Sequence, residues 1–197
     1  MTYETKQELK TRKNKEALLT AAIEITREYG PDKLTMKNIC AQAGLSNGSF
    51  YHLFKSKEEL ISYYIRYSFE QYVSHMPDPH KHSAIENCLN LYDAYLDCCM
   101  EVGPEFMSLF YSPTNQVLNW QERAPEDAIL LDSIGRFIDE GKESGEFRGD
   151  VNTEEAMSYV AAAVTGPLFY WCVIGESYDV RSAVHTLMTL YLESLKP

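Results

Sequence analysis

Between Thr35 and Leu60 the chain reads TMKNICAQAGLSNGSFYHLFKSKEEL, a run whose side chains suit contact with a nucleic acid. Asn47, Ser49, Tyr51 and His52 are four hydrogen-bonding groups within six residues. Amides and hydroxyls of this kind read base edges in the major groove of DNA. None of the four is Arg or Lys, so the bidentate contact to guanine is missing, and contacts to adenine or the thymine methyl are expected. Thr35, Lys37, Tyr51, His52, Lys55 and Lys57 are the expected phosphate contacts, which position without specifying. Ser46 and Gly48 complete the set. The serine hydroxyl can cap a helix, and the glycine lets backbone approach DNA closely.

Two short helices must hold these groups. Thr35 is a helix-capping type, Gly44-Leu45-Ser46 is a tight turn, and the second helix restarts with Asn47. Ile39, Ala43, Leu45, Phe50 and Leu53 fall where two crossing helices touch, and the small Cys40 and Ala43 allow close crossing. A helix, a glycine turn and a second helix with a polar outer face form the pattern of a helix-turn-helix. An ordinary helical hairpin also uses a glycine turn, but accounts for neither the polar face nor the flanking cations.

The longer run YGPDKLTMKNICAQAGLSNGSFYHLFKSKEELI resembles the N-terminal domain of TetR-type (tetracycline-repressor-like) transcriptional regulators. The resemblance covers about the first sixty residues and is specific for family but not for ligand. It implies that Thr35 starts the second helix and that Gly44 makes the turn. Tyr51-His52-x-Phe54 would close the recognition helix, and Lys57 would start a fourth helix against a phosphate. It further implies a C-terminal helical domain whose last two helices, about 152–175 and 179–195, form a four-helix dimer interface. Such a dimer would read a palindrome-like operator with half-sites about one helical turn apart.

A formal net charge of −11 looks wrong for a DNA binder until the chain is divided. Residues 1–60 carry a net +2 and residues 61–197 a net −13. An acidic body repels DNA from the wrong face while a local basic patch attracts it. Lys6, Lys10, Arg12, Lys13 and Lys15 add to that patch or form a solvated helix start. Five cysteines without framework spacing and a polar N-terminus point to a reducing cytoplasm. Residues 156–174 are free of charge and near membrane-spanning length. Acidic flanks and the central Gly166-Pro167 argue instead for a core and interface helix, so no membrane is expected.

Periodicity predicts an all-α fold of about nine helices. The expected organisation is a three-helix DNA-binding domain at 1–56 and a larger helical ligand-binding and dimerisation domain at 57–197. The first helix is expected from Lys13 to Tyr29, stopped by Gly30-Pro31-Asp32. Ser56-x-x-Glu59, Ser83-x-x-Glu86 and Asn152-x-x-Glu155 are capping signals, and Asp179 caps the last helix, ending near Leu195. The fourth helix should end near His75, before the proline-punctuated joint 76–80. The fifth should reach Val102, a short one carry Phe106 and Phe110, and another run from about Pro125 to Ser144.

Catalytic signatures are missing: there is no nucleophile elbow, P-loop or zinc-protease motif. Gly141, Gly145 and Gly149 lie in an acidic turn, not in a dinucleotide fingerprint. The chain therefore reads as a regulator and not an enzyme, with no metal or cofactor. His75, Asp78, His80 and His82 are more simply solvated loop side chains than ligands, and Cys98-Cys99 more simply buried than redox-active. Fourteen Tyr, eight Phe and two Trp concentrate after residue 60. Tyr92, Tyr95, Phe106, Phe110, Trp120, Phe137, Tyr159, Phe169 and Tyr170 are the expected lining of a pocket for an apolar or aromatic effector. Plain core and interface packing is the competing reading of each. Effector binding would release a homodimeric repressor from double-stranded DNA. The alternative is a DNA-binding dimer without a small-molecule ligand.

Overall fold

The computed structural model describes residues 5–112 and 129–197, and all regular structure among them is helical. The helices are α1 (Lys6–Tyr29), α2 (Met36–Ala43), α3 (Asn47–Leu53), α4 (Lys57–Val73), α5 (Ala84–Val102), α6 (Pro104–Phe110), α7 (Ile129–Ser144), α8 (Thr153–Ile174) and α9 (Val180–Glu193). Trp120 and the expected helix start at Pro125 lie outside the described residues.

Helix α1 begins at Lys6 and not at Lys13. Thr5 accepts from the Glu8 N–H while the Glu8 carboxylate accepts from the Thr5 N–H at 2.7 Å, a reciprocal capping box. The cations at 6–15 are therefore helical. Leu18, Leu19, Ala22 and Ile25 form the buried stripe, and Gly30, at φ 83°, ends the helix. Helix α4 stops at Val73, short of His75. Its cap is shared differently than expected: Ser56 accepts from the Glu59 N–H, but the Glu59 carboxylate reaches past it to the Lys55 N–H at 2.6 Å. Ser83 and Glu86 make the full box at the start of α5.

Helix α5 is the axis of the body, packed against α4, α6, α7 and α9. A clip at 145–151 binds both ends of that body. Glu146 accepts from the N–H groups of Ala84 and Ile85, at 2.6 and 3.2 Å, at the start of α5. Arg148 donates to the Ser194 and Lys196 carbonyls after α9. Gly141 permits the clip to fold back: a Cβ there would lie 2.3 Å from the Phe147 ring.

The cysteines are free, and Cys40, Cys88, Cys98 and Cys99 are buried. Burial pushes the Cys88 and Cys98 thiols up to about 12. They stay protonated at neutral pH and make poor nucleophiles. In the joint, His75 Nδ1 lies 2.8 Å from the Gln71 carbonyl, and Asp78 accepts from the His80 N–H. No metal-holding group of His, Cys, Asp or Glu occurs among the described residues.

Helix α8 is long and apolar enough to cross a membrane by composition, yet it packs against α6, α7 and α9. Of this expected core and interface helix, one face is buried within the chain: Ala156, Val160, Val164, Leu168 and Trp171 point inward. Tyr159, Phe169, Tyr170, Val173 and Ile174 on α8, with Leu187 and Leu190 on α9, remain exposed.

Candidate DNA-binding surface and interior aromatic site

Local chemistry fixes the turn between α2 and α3. Thr35 accepts from the Asn38 N–H at 3.2 Å. Gly44 ends α2 in the left-handed region (φ 66°, ψ 29°), and the Leu45 N–H reaches back to the Cys40 carbonyl at 3.0 Å. Ser46 then caps α3 through the Ser49 N–H. Phe50, with no exposed surface, anchors α3 in the core beside Ile39 and Leu18. That anchor turns Asn47, Gly48, Tyr51 and His52 outward, with Tyr51 56% exposed. Lys37 and Lys55 are exposed as well.

Two of the sequence-derived contacts are partly engaged within the chain. The Ser49 hydroxyl is half-buried and shares a hydrogen bond with the Ser46 hydroxyl at 3.0 Å. Lys57 is half-buried and donates to the Leu34 carbonyl at 3.4 Å. Lys15, on α1, was part of the basic patch, but its ammonium lies 4.1 Å from the centre of the Tyr63 ring and near Phe54. Desolvation, then the neighbouring Arg66, lowers its pKa. It braces α1 against α4 through a cation–π contact.

The nine sequence-derived aromatic positions do not form one group. Tyr92, Tyr95, Phe106, Phe110 and Phe137 are buried. Tyr159, Phe169 and Tyr170, also expected to line the pocket, lie on the exposed face of α8, apart from the buried five. Trp120 is outside the described residues. Tyr111, the aromatic that ends α6 and is not among those nine, joins the buried group: its hydroxyl shares a 2.9 Å hydrogen bond with that of Tyr95. Desolvation pushes both phenols well above their ordinary range, so both are neutral. The pairing of Tyr111 with Tyr95 was not legible in the sequence, because Tyr111 follows α6 and meets Tyr95 only through packing of α6 on α5.

Residues 18–64 match the family of bacterial regulatory proteins described as the tetR family. Over this DNA-binding stretch the chain is similar to the TetR family. Its relatives include the fatty acid metabolism regulator protein of Bacillus subtilis (strain 168), 19% identical over 90% of this chain and 93% of the relative. Among solved structures, the fatty acid degradation regulator FadR of Bacillus halodurans superposes with a TM-score of 0.66 at 18% identity, covering 92% of this chain and 96% of that one. The Thermus thermophilus FadR, a TetR-family transcriptional repressor solved with lauroyl-CoA, has a TM-score of 0.65 at 17% identity, covering 93% and 95%. At such identities the structures establish the shared fold.

These similarities make the chain a DNA-binding transcription regulator and not an enzyme. Its α6 touches the DNA-reading part directly, packing on α1 and α4. Phe106 meets the Tyr64 ring edge-on at 5.5 Å. The last turn of α5 is tied to the same helices. The Glu101 carbonyl accepts from Arg27 of α1 at 3.2 Å, and its carboxylate accepts from the Tyr72 hydroxyl of α4 at 3.0 Å. Desolvation and that hydrogen bond push Tyr72 up to about 12. A displacement of α5 or α6 therefore reaches α1 and α4 through direct contacts.

Proposed function

We propose that the chain is a cytoplasmic, homodimeric repressor that binds a palindromic operator and is released by a small apolar or aromatic effector held in its body. The DNA-reading unit is residues 1–56 and the effector and dimer unit 57–197. The observation that carries the reading is the outward face of α3, where Asn47, Gly48, Tyr51 and His52 stand over the buried Phe50. Asn47 and Ser49 read base edges. Thr35, Lys37, Ser46, Tyr51, His52, Lys55 and Lys57 hold the backbone, with Lys57 leaving the Leu34 carbonyl to do so.

The exposed apolar faces of α8 and α9 support a dimer, since side chains such as Phe169, Val173 and Leu190 gain most by burial against a second copy. The buried aromatics between α5, α6 and α7 support an effector site. Movement of α6 on binding would pull on α1 and α4 and change the spacing of the two recognition helices. Moving from mostly bound to mostly released takes about 5.5 kcal/mol of differential affinity. That a protein of similar fold was solved in complex with lauroyl-CoA supports an effector-binding body.

Selection of sites from random duplex DNA, read at low and high salt, tests the proposal. A palindrome bound with salt-sensitive affinity is expected. Recovery of weak, sequence-independent binding alone would refute the operator-binding reading.

A further inference from the structure

This inference rests on the effector reading above and concerns the chemical class of the effector. The body is strongly acidic, with a net −13 over residues 61–197, and a dimer doubles that charge. Its described cations beyond residue 80 are already engaged. Lys81 pairs with Asp78, Arg136 with Glu140, Lys142 with Asp139, Arg148 with Asp150 and Lys196 with Glu193. Arg181 is held by both Asp93 and Asp97, the former also 2.9 Å from His185 Nε2. A polyphosphate head group would have to displace these carboxylates one by one in a repulsive field.

The interior offers a different kind of recognition. The Tyr95 and Tyr111 hydroxyls form a neutral pair, with Tyr92 edge-on to Tyr95 at 6.2 Å and Phe69 at 5.8 Å. Each phenol is both donor and acceptor; their shared bond uses one of the two protons, and the Cys99 thiol is a second, weaker partner of Tyr95. One hydroxyl or carbonyl oxygen of a ligand can enter this pair, accepting from one phenol and, if it is a hydroxyl, donating to the other. The pair also joins α5 to the residue that ends α6, so its opening loosens the helix that contacts α1 and α4.

We infer that the effector is an uncharged, lipophilic molecule bearing a hydroxyl or carbonyl oxygen, taken up at the Tyr95–Tyr111 pair, and not a coenzyme A thioester. An acyl-CoA would place a polyanion against a body whose described cations beyond residue 80 are all paired with carboxylates.

Titration calorimetry on the full chain tests this with naringenin and decanol as neutral probes and lauroyl-CoA as the charged one. Expected is binding of at least one neutral probe, with lauroyl-CoA at least about tenfold weaker and gaining affinity as salt screens the repulsion. Tyr111→Phe should weaken the neutral probe about tenfold, the loss of one hydrogen bond, at a temperature where the variant remains folded. Lauroyl-CoA binding more tightly than both neutral probes would overturn the inference and leave the effector-released repressor standing. Binding of a neutral probe that is indifferent to Tyr111→Phe would overturn the site. Binding of none of the three, by protein that still selects a palindrome, overturns the inference without touching the operator reading.

Discussion

Gly44 shows how much one residue can carry. Its left-handed conformation has open space around the missing Cβ, so substitution costs backbone strain and no clash. Gly44→Ala is expected to destabilise the chain by about 1–2 kcal/mol, read by urea unfolding. At the recognition helix, two substitutions separate specificity from affinity. Asn47→Ala should change the ranking of operator variants, and an equal loss on every sequence would remove it from base readout. Lys55→Ala should weaken all sequences alike and reduce the salt slope by about one. Residue types at 35–57 made this surface legible in advance. What they did not reveal was the engagement of Lys57 with Leu34 and of Ser49 with Ser46, because side-chain partners depend on how α2 and α3 cross.

Among elements, the clip at 145–151 is the clearest case of chain-distant dependence. Glu146 satisfies two N–H groups at the start of α5, and Phe147 fills the space over Gly141. Gly141→Ala is expected to cost about 1–3 kcal/mol by overpacking, lowering Tm while recognition of operator DNA is retained below the transition. A second dependence lies between α7 and α8, where Asp139 accepts from the Thr153 hydroxyl at 2.5 Å and from Lys142. The Thr153 bond is the main cause that holds the Asp139 carboxyl below its usual range. A depressed carboxyl pKa adds stability above the unfolded-state value and loses it as pH falls through the folded one. Asp139→Asn should therefore flatten the loss of stability on the acid side, and an unchanged acid limb in pH-dependent unfolding would show that the bond contributes nothing.

For the whole molecule, the decisive surface is the apolar face of α8 and α9. Leu190 is 66% exposed and Phe169 53% exposed in the single chain. Leu190→Glu with Phe169→Glu should shift the protein to monomer in sedimentation velocity and abolish binding to a full palindrome, with helical content unchanged. The line of communication is equally concrete. Glu101→Ala removes the carboxylate bonded to Tyr72 of α4 but keeps the carbonyl that accepts from Arg27. Once an effector probe is in hand, this change should reduce its ability to dislodge DNA more than its affinity for the protein, and parallel losses in both would deny Glu101 a coupling role.

The sequence by itself determined the helical class, the glycine turn, the caps at Thr35, Ser46, Ser83 and Asp179, and the outward polar face of α3. These are settled by hydrogen bonds within about four residues and by the 3.6-residue period, so neighbouring residue types encode them. Thr5-x-x-Glu8 was equally local, and the start of α1 was legible there. Only the tertiary structure decided that Tyr95 meets Tyr111, that Glu146 caps α5 sixty residues away, and that Tyr159, Phe169 and Tyr170 face outward. An aromatic side chain has the same periodic signal whether its face meets the core or a second molecule. Which one it meets is set by the summed packing of every helix around it.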